Sequence, residues 1–170
     1  MKVYLGTDHA GFYLKEKIKA SLLRLGYEVI DEGAFIYDKQ DDYPDFIAKA
    51  ARSVSEDPED SRGIVIGGSG EAEMMTANKF KHVRCALFYT PAIPVEAADV
   101  AGRKSEDPFE IIRLTREHNN ANMLSLSARF LKEEEAVEAV ERWLKEPFPG
   151  DGRHKRRIEK IKRIEEENFE

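Results

Sequence analysis

The chain has 170 residues, 41% of them hydrophobic, with a formal net charge of −6, which fits one compact domain and excludes a disordered chain. The mildly acidic balance supplies no global field for nucleic acid or anionic lipid. No apolar run approaches the roughly 20 residues that span a bilayer, and the start MKVYLGTDHAG is too poor in apolar residues for a signal peptide, so no membrane partner and a cytoplasmic location are expected.

Short β-rich runs alternate with helical patterns along the chain, the mark of βαβ units. The expected fold is α/β: a Rossmann-like three-layer sandwich with a central five-stranded parallel sheet, helices on both faces and a C-terminal helical tail. Val3-Tyr4-Leu5 predicts the first strand, ending in Gly6-Thr7-Asp8-His9. Leu14, Ile18, Leu22 and Leu25 then share one face of a helix that Gly26 closes. A short strand is expected over 27–30, a polar loop up to Tyr43-Pro44, a helix over 45–51 and a charged loop over 55–62. The third strand is read as 63–66, the fourth as 83–88 and the fifth as 123–127. The single cysteine, Cys85, lies in the fourth and is read as a buried strand cysteine, which suits a reducing compartment. Residues 133–144 form a helix with a stripe of Ala136, Val137, Val140 and Trp143.

Two regions break the rhythm. Residues 91–107 carry two early prolines, the run AADVAG and a charged end, and read as an insertion between the fourth strand and a helix beginning near Pro108. Residues 147–170 hold the connector PFPGDG and then RHKRRIEKIKRIEEE, where Ile158, Ile161 and Ile164 recur every three residues. That tail is expected to be a helix docked by its isoleucines. The whole, 1–170, reads as one domain without internal repeats.

The most suggestive stretch is GIVIGGSGEAEMMT, residues 63–76. It lacks the Lys-Ser/Thr ending of a phosphate-loop NTPase and fails the GxGxxG dinucleotide pattern. What remains is a nest of backbone N–H groups able to hold a negative oxygen that forms during reaction. A glutamate beside such a nest, with a second acid two residues away, has the makings of a general base with a raised pKa; equally, Glu71 and Glu73 would favour the positive end of the following helix. In open parallel sheets ligands gather beyond the carboxyl ends of the strands, where Asp8 and His9 follow the first strand. The run His118-Asn119-Asn120-Ala121-Asn122 precedes the fifth and is counted with them. As bland alternatives, Asp8 caps a helix and the histidines are structural. His9, His82, His118 and His154 are far apart in sequence with no paired spacing, so a metal-independent site is expected. The basic tail is offset by Glu159 and Glu165-Glu166-Glu167 and lacks interleaved aromatics, which argues against nucleic-acid binding.

The segments GTDHAGFYLKEKI, DYPDF, GIVIGGSG, ANK, REHNNAN and GRHKRRIEKI, in this order and at nearly full-length spacing, resemble the ribose-5-phosphate isomerase B family, which includes the galactose-6-phosphate isomerase subunits. The resemblance covers the chain apart from 91–107, which typical members lack. It implies interconversion of an aldose phosphate and a ketose phosphate through an enediolate, with no metal or organic cofactor. Ribose 5-phosphate is the commonest substrate of such proteins; a six-carbon phosphate of allose or galactose, or a catalytically silent sugar-phosphate-binding protein, are the alternatives.

Many members carry a cysteine base where this chain has Gly67, whereas a second branch has glycine there and a glutamate six residues on, the position of Glu73. The resemblance thus implies Glu73 as base, with Glu71 in the oxyanion loop and Ala72 in place of a usual glycine. It implies His118 in opening the furanose ring, Asp8 near the ring oxygen, and Ser69 with the N–H groups of Gly68 and Gly70 around the enediolate. Asn119 would contact the reacting end and Tyr43 would line the pocket. His9, Arg129, Arg153 and Arg157 would clamp phosphate, as guanidinium forks do well. The pocket of such proteins is assembled from two chains, which implies a homodimer, or a tetramer built from it.

Overall fold

In the computed structural model, which describes residues 1–150 and 152–168, five strands pair in parallel. They are β1 (Lys2–Thr7), β2 (Glu28–Asp31), β3 (Ser61–Gly67), β4 (Cys85–Phe88) and β5 (Met123–Ser127), in the spatial order β2-β1-β3-β5-β4. The helices are α1 (Phe12–Arg24), α2 (Pro44–Glu56), α3 (Glu71–Ala77), α4 (Glu110–Asn119), α5 (Glu133–Lys145) and α6 (Gly152–Asn168). Central β3 and β5 read as continuous apolar runs because a parallel strand between two helical layers has no wet face. Ile64 and Ile66 of β3 join Leu124 and Leu126 of β5 in a core covered by α1, α4 and α5. Val65 and Met123 point the other way, toward Ile47, Ala50, Ala51 and Val54 of α2 and Ala77 of α3. The expected three-layer α/β architecture is therefore present.

Several boundaries differ from the periodicity, each for a local reason. Helix α2 runs past the expected end at 51 to Glu56, taking the first two residues of the expected charged loop, because Val54 is fully buried and continues the stripe begun at Ile47. Strand β4 begins at Cys85, where the Asn78 side chain takes over: its Oδ1 accepts from Cys85 N at 2.8 Å and its Nδ2 donates to Cys85 O at 3.0 Å. Cys85 is buried, and burial pushes its thiol above the ordinary range.

The excursion between β4 and α4 contains no helix or strand. It is pinned by Arg103, which pairs with Asp99, Glu110 and Glu117, and by Ala92 N donating to Pro108 O at 2.8 Å. Asp151, in the expected connector, lies outside the described residues, as do residues 169–170. Helix α6 forms, but the docking expected of its isoleucines is only partial: Ile158 is half-buried beside α4. Ile161 and Ile164 are 54% and 59% exposed, and His154 is the one buried residue among those described in α6. The helix meets the body at α4 near its start and again at Glu165, whose carboxylate accepts from His82 N at 2.9 Å; between these points an open groove separates Ile161 and Ile164 from β4.

Trp143 of α5 is fully buried under the α1/α4/α5 layer, with the Arg116 guanidinium 5.9 Å from its ring centroid. Removing so large a side chain leaves a cavity that close-packed neighbours fill only in part. Trp143→Ala should lower the unfolding free energy by about 3–5 kcal/mol, read from denaturant unfolding with an unchanged m-value; a loss below about 1 kcal/mol would show that the layer collapses onto the gap.

Candidate active site

One group of candidate residues gathers at the carboxyl edge of the sheet. The strand order reverses between β1 and β3, which opens a crevice beyond their ends, and Thr7 Oγ1 stitches the two by donating to Ile66 O at 2.7 Å. Asp8 is buried and accepts from Ala10 N at 2.9 Å, as a helix-leading aspartate does. His9 is held by Asp41: backbone N and ring Nδ1 lie 3.1 and 2.7 Å from the same Asp41 Oδ1. Asp8, His9 and Asp41 offer ligand-type atoms within 4.8 Å of one another, a set able to receive a cation, although the His9–Asp41 hydrogen bond already commits one pair. Tyr43, half-buried at the start of α2, packs nearby against the α2/α3 core.

The glycine loop faces this group. Gly70 begins α3 with φ 78°, and a Cβ there would also press on Leu87 and on Leu126 O, so only glycine suits. Ser125 Oγ holds the loop by donating to Gly70 O at 2.6 Å. Ser69 is half-buried, and its Oγ accepts from Glu71 N at 3.4 Å. Arg129, just past β5, donates its N–H to Gly68 O at 3.1 Å and lays its guanidinium over Gly68.

Glu71 and Glu73, equivalent on composition, are separated by the first turn of α3. Glu71 is exposed, whereas Glu73 is 4% exposed. A Cβ built on Gly67 would coincide with Cδ and both carboxyl oxygens of Glu73. The carboxyl group therefore fills the space that a side chain on residue 67 would need. Burial pushes the Glu73 carboxyl above its usual range and the Asp8 charge adds to this, against a backbone hydrogen bond from Glu73 itself. A carboxylate in this environment holds its proton more tightly than an exposed one.

The second group lies elsewhere. His118 ends α4, which returns from the carboxyl edge to the start of β5, so it sits at the amino edge of the sheet with exposed Asn119. There its ring stacks on that of His154 from α6, with centroids 4.2 Å apart and planes at 8°. Arg153 Nε donates to His154 Nε2 at 3.0 Å, and Arg157 lines the same hollow beside His118. Burial above all, then the neighbouring His154, Arg153 and Arg103, push the His118 imidazole below its usual range, while the charge of Glu117 opposes them.

Counting the residues before β5 with those after β1 and β3 is thus corrected: they occupy opposite edges. A strand of five residues separates its ends by about 16 Å, too far for one small ligand to touch both groups of a single chain. Within the chain the structure brings together Asp8, His9, Gly68, Ser69, Gly70, Glu73 and Arg129, with Tyr43 nearby. Separately it brings together His118, Asn119, Arg153 and Arg157. Sequence reasoning missed Asp41, one of the acids just before Tyr43-Pro44, and His154, which stood unassigned inside GRHKRRIEKI.

The family model described as Ribose/Galactose Isomerase matches residues 3–101 and 106–161, so that within the excursion only 102–105 stay unmatched. Ribose-5-phosphate isomerase B of Mycolicibacterium paratuberculosis is 42% identical over 159 residues, covering 94% of this chain and 88% of that protein. The probable ribose-5-phosphate isomerase B of Mycoplasma genitalium is 38% identical over 165 residues, covering 97% and 96%. Among solved structures, ribose-5-phosphate isomerase B from Mycoplasma genitalium with bound ribulose-5-phosphate superposes with a TM-score of 0.85 at 36% identity, covering 98% of this chain and 97% of that one. The corresponding Clostridium thermocellum structure gives 0.82 at 38% identity, covering 98% and 99%. With the sheet, the glycine loop and both groups of site residues inside those matches, this chain belongs to the ribose/galactose isomerase family.

Proposed function

We propose that the protein interconverts ribose 5-phosphate and ribulose 5-phosphate with Glu73 as the base. The observation that carries this is the Glu73 carboxyl group, buried in the space left by Gly67 at the mouth of the glycine loop, with its pKa raised. Relatives named ribose-5-phosphate isomerase B, and the neighbour holding ribulose-5-phosphate, favour the same reading.

In the forward direction Glu73 takes the C2 proton of the open aldose. The electron pair moves into a C1–C2 double bond, and the negative charge on O1 is held by N–H groups of the 68–70 loop and by Ser69. The protonated Glu73 returns its proton to C1 while the O2 hydroxyl proton passes to O1, giving the ketose. Asp8 and a histidine at the ring oxygen open the furanose. His9 and Arg129 bind phosphate from one side.

Because His118, Asn119, Arg153 and Arg157 lie at the opposite edge, we assign them to the site of a second copy. Each pocket of a homodimer then combines the carboxyl edge of one chain with the partner subunit's His118, Arg153 and Arg157. Two observations support this. Ile161 and Ile164 stay exposed on α6, and the groove between them and edge strand β4, lined by Cys85 and Ala86, is apolar and open. The chain acts as one domain, with the connector and α6 serving the phosphate site of the other copy and 91–107 an addition beyond it.

Glu73→Gln should lower kcat by about a hundredfold or more with little change in KM, and abolish deuterium uptake at C2 from heavy water as read by NMR. Glu73 must be ionised to act, so the acid limb of the wild-type kcat profile should lie above the 4.5 of an ordinary glutamate; a near-normal rate in the variant would remove Glu73 from the role. Arg157→Ala should weaken phosphorylated sugars by about 1.5–3 kcal/mol and leave unphosphorylated ones unaffected in calorimetry. Mixing inactive Glu73→Gln with inactive His118→Asn under exchange should restore about a quarter of wild-type activity, since half the dimers are then mixed and each has one intact pocket. No recovery, with subunit exchange verified, would place both residues in one chain's pocket.

A further inference from the structure

Two features of the amino edge are left over by this mechanism: buried His154, and its contact with a histidine that does have a role. We propose that His154 is the positioning residue for His118, its ring locked by Arg153 and laid flat on the His118 imidazole so that ring opening and the phosphate clamp are mechanically joined. The inference rests on the reading of His118 as the group that exchanges a proton with the sugar.

The geometry is specific. Arg153 Nε carries a hydrogen at all accessible pH, so the His154 Nε2 that it meets at 3.0 Å must present a lone pair. That places the His154 proton on Nδ1 while the bond lasts. His154 is 5% exposed, so its ring has little freedom to tilt. His118 is the less buried partner, the near-parallel stack at 4.2 Å restrains it from one face, and it borders a hollow shared with Asn119 and Arg157.

The charged surroundings of His118 come from three elements. On α4, Glu117 favours its protonation; on α6, His154 and Arg153 disfavour it, with Arg157 nearby; from the excursion, Arg103 also disfavours it. Burial is the largest influence and acts in the same direction as the cations. A neutral, oriented imidazole is what ring opening needs, because the group must accept one proton and deliver another. Since Arg153 belongs to the phosphate clamp, a bound phosphate that draws its guanidinium also tightens or releases His154. The sugar's phosphate end is thereby sensed at its ring end.

The test follows the His118 ring proton by NMR across pH in the unliganded protein, alongside kinetics, in wild type, His154→Ala and His154→Phe, with circular dichroism confirming each fold. His118 should titrate below 6.5 in wild type and move up toward 6.5 in His154→Ala, where water replaces the stacked ring. In that variant kcat should fall about tenfold or more through lost orientation. His154→Phe keeps a flat ring but no acceptor for Arg153. It should hold the His118 titration low and recover most of kcat, while KM for the phosphorylated sugar rises. An unchanged His118 titration and an unchanged kcat in folded His154→Ala would overturn the inference. If wild type isomerises none of ribose, allose or galactose phosphates while His118 still responds to His154→Ala, the isomerase reading fails and the coupling stands.

Discussion

Everything at the candidate site depends on one constraint: all five strands run in the same direction. In such a sheet every loop that follows a strand lies at one edge and every loop that precedes one lies at the other. The residues after β1, β3 and β5 are consequently neighbours in space although they come from positions 8, 67–70 and 129. The same rule sends His118 to the far edge, however close it stands to β5 in sequence, and α5 carries the chain back there before α6 begins. The split of chemistry-bearing residues into two groups is a consequence of strand polarity, and in the proposed homodimer it makes each chain two half-sites.

Within the carboxyl-edge group the governing fact is a shared volume. Residue 67 ends β3 and residue 73 lies in the first turn of α3, yet a side chain on the one and the carboxyl of the other would occupy the same place. A protein built this way can present one reactive group there, from either position. Glycine at 67 admits the longer reach of a glutamate and lets the helix bring it in. Burial in that space disfavours the charged form, and the Asp8 carboxylate adds to the effect, so the same packing that seats Glu73 also raises its proton affinity.

At the amino edge the organising contact is between α4 and α6. It buries one histidine, stacks a second upon it and leaves Ile161 and Ile164 of α6 uncovered. An exposed apolar stripe on a helix that carries arginines of the expected phosphate clamp is economical if a second copy supplies the cover, because the association that buries Ile161 and Ile164 also brings the clamp to a glycine loop. The excursion after β4, tied by Arg103 to acids on itself and on α4, borders this edge through the charge that it places near His118.

The strands, most helices and the glycine loop were legible in the sequence because they depend on local periodicity and on glycine's freedom at a tight turn, both short-range properties. Even so, the extension of α2 to Glu56 needed the burial of Val54. The distinction between Glu71 and Glu73 was not legible from composition: adjacent acids in one turn look alike until the helix rotates one into the space over Gly67 and the other into water. Asp41 behind His9 and His154 behind His118 were likewise invisible, since each partnership joins segments far apart in the chain through a side-chain contact that no spacing encodes. The sequence by itself determined the alternation of elements and the family motifs. Only the tertiary structure decided which glutamate is buried and at which edge each motif stands, because strand polarity and helix rotation become definite only when the sheet is assembled.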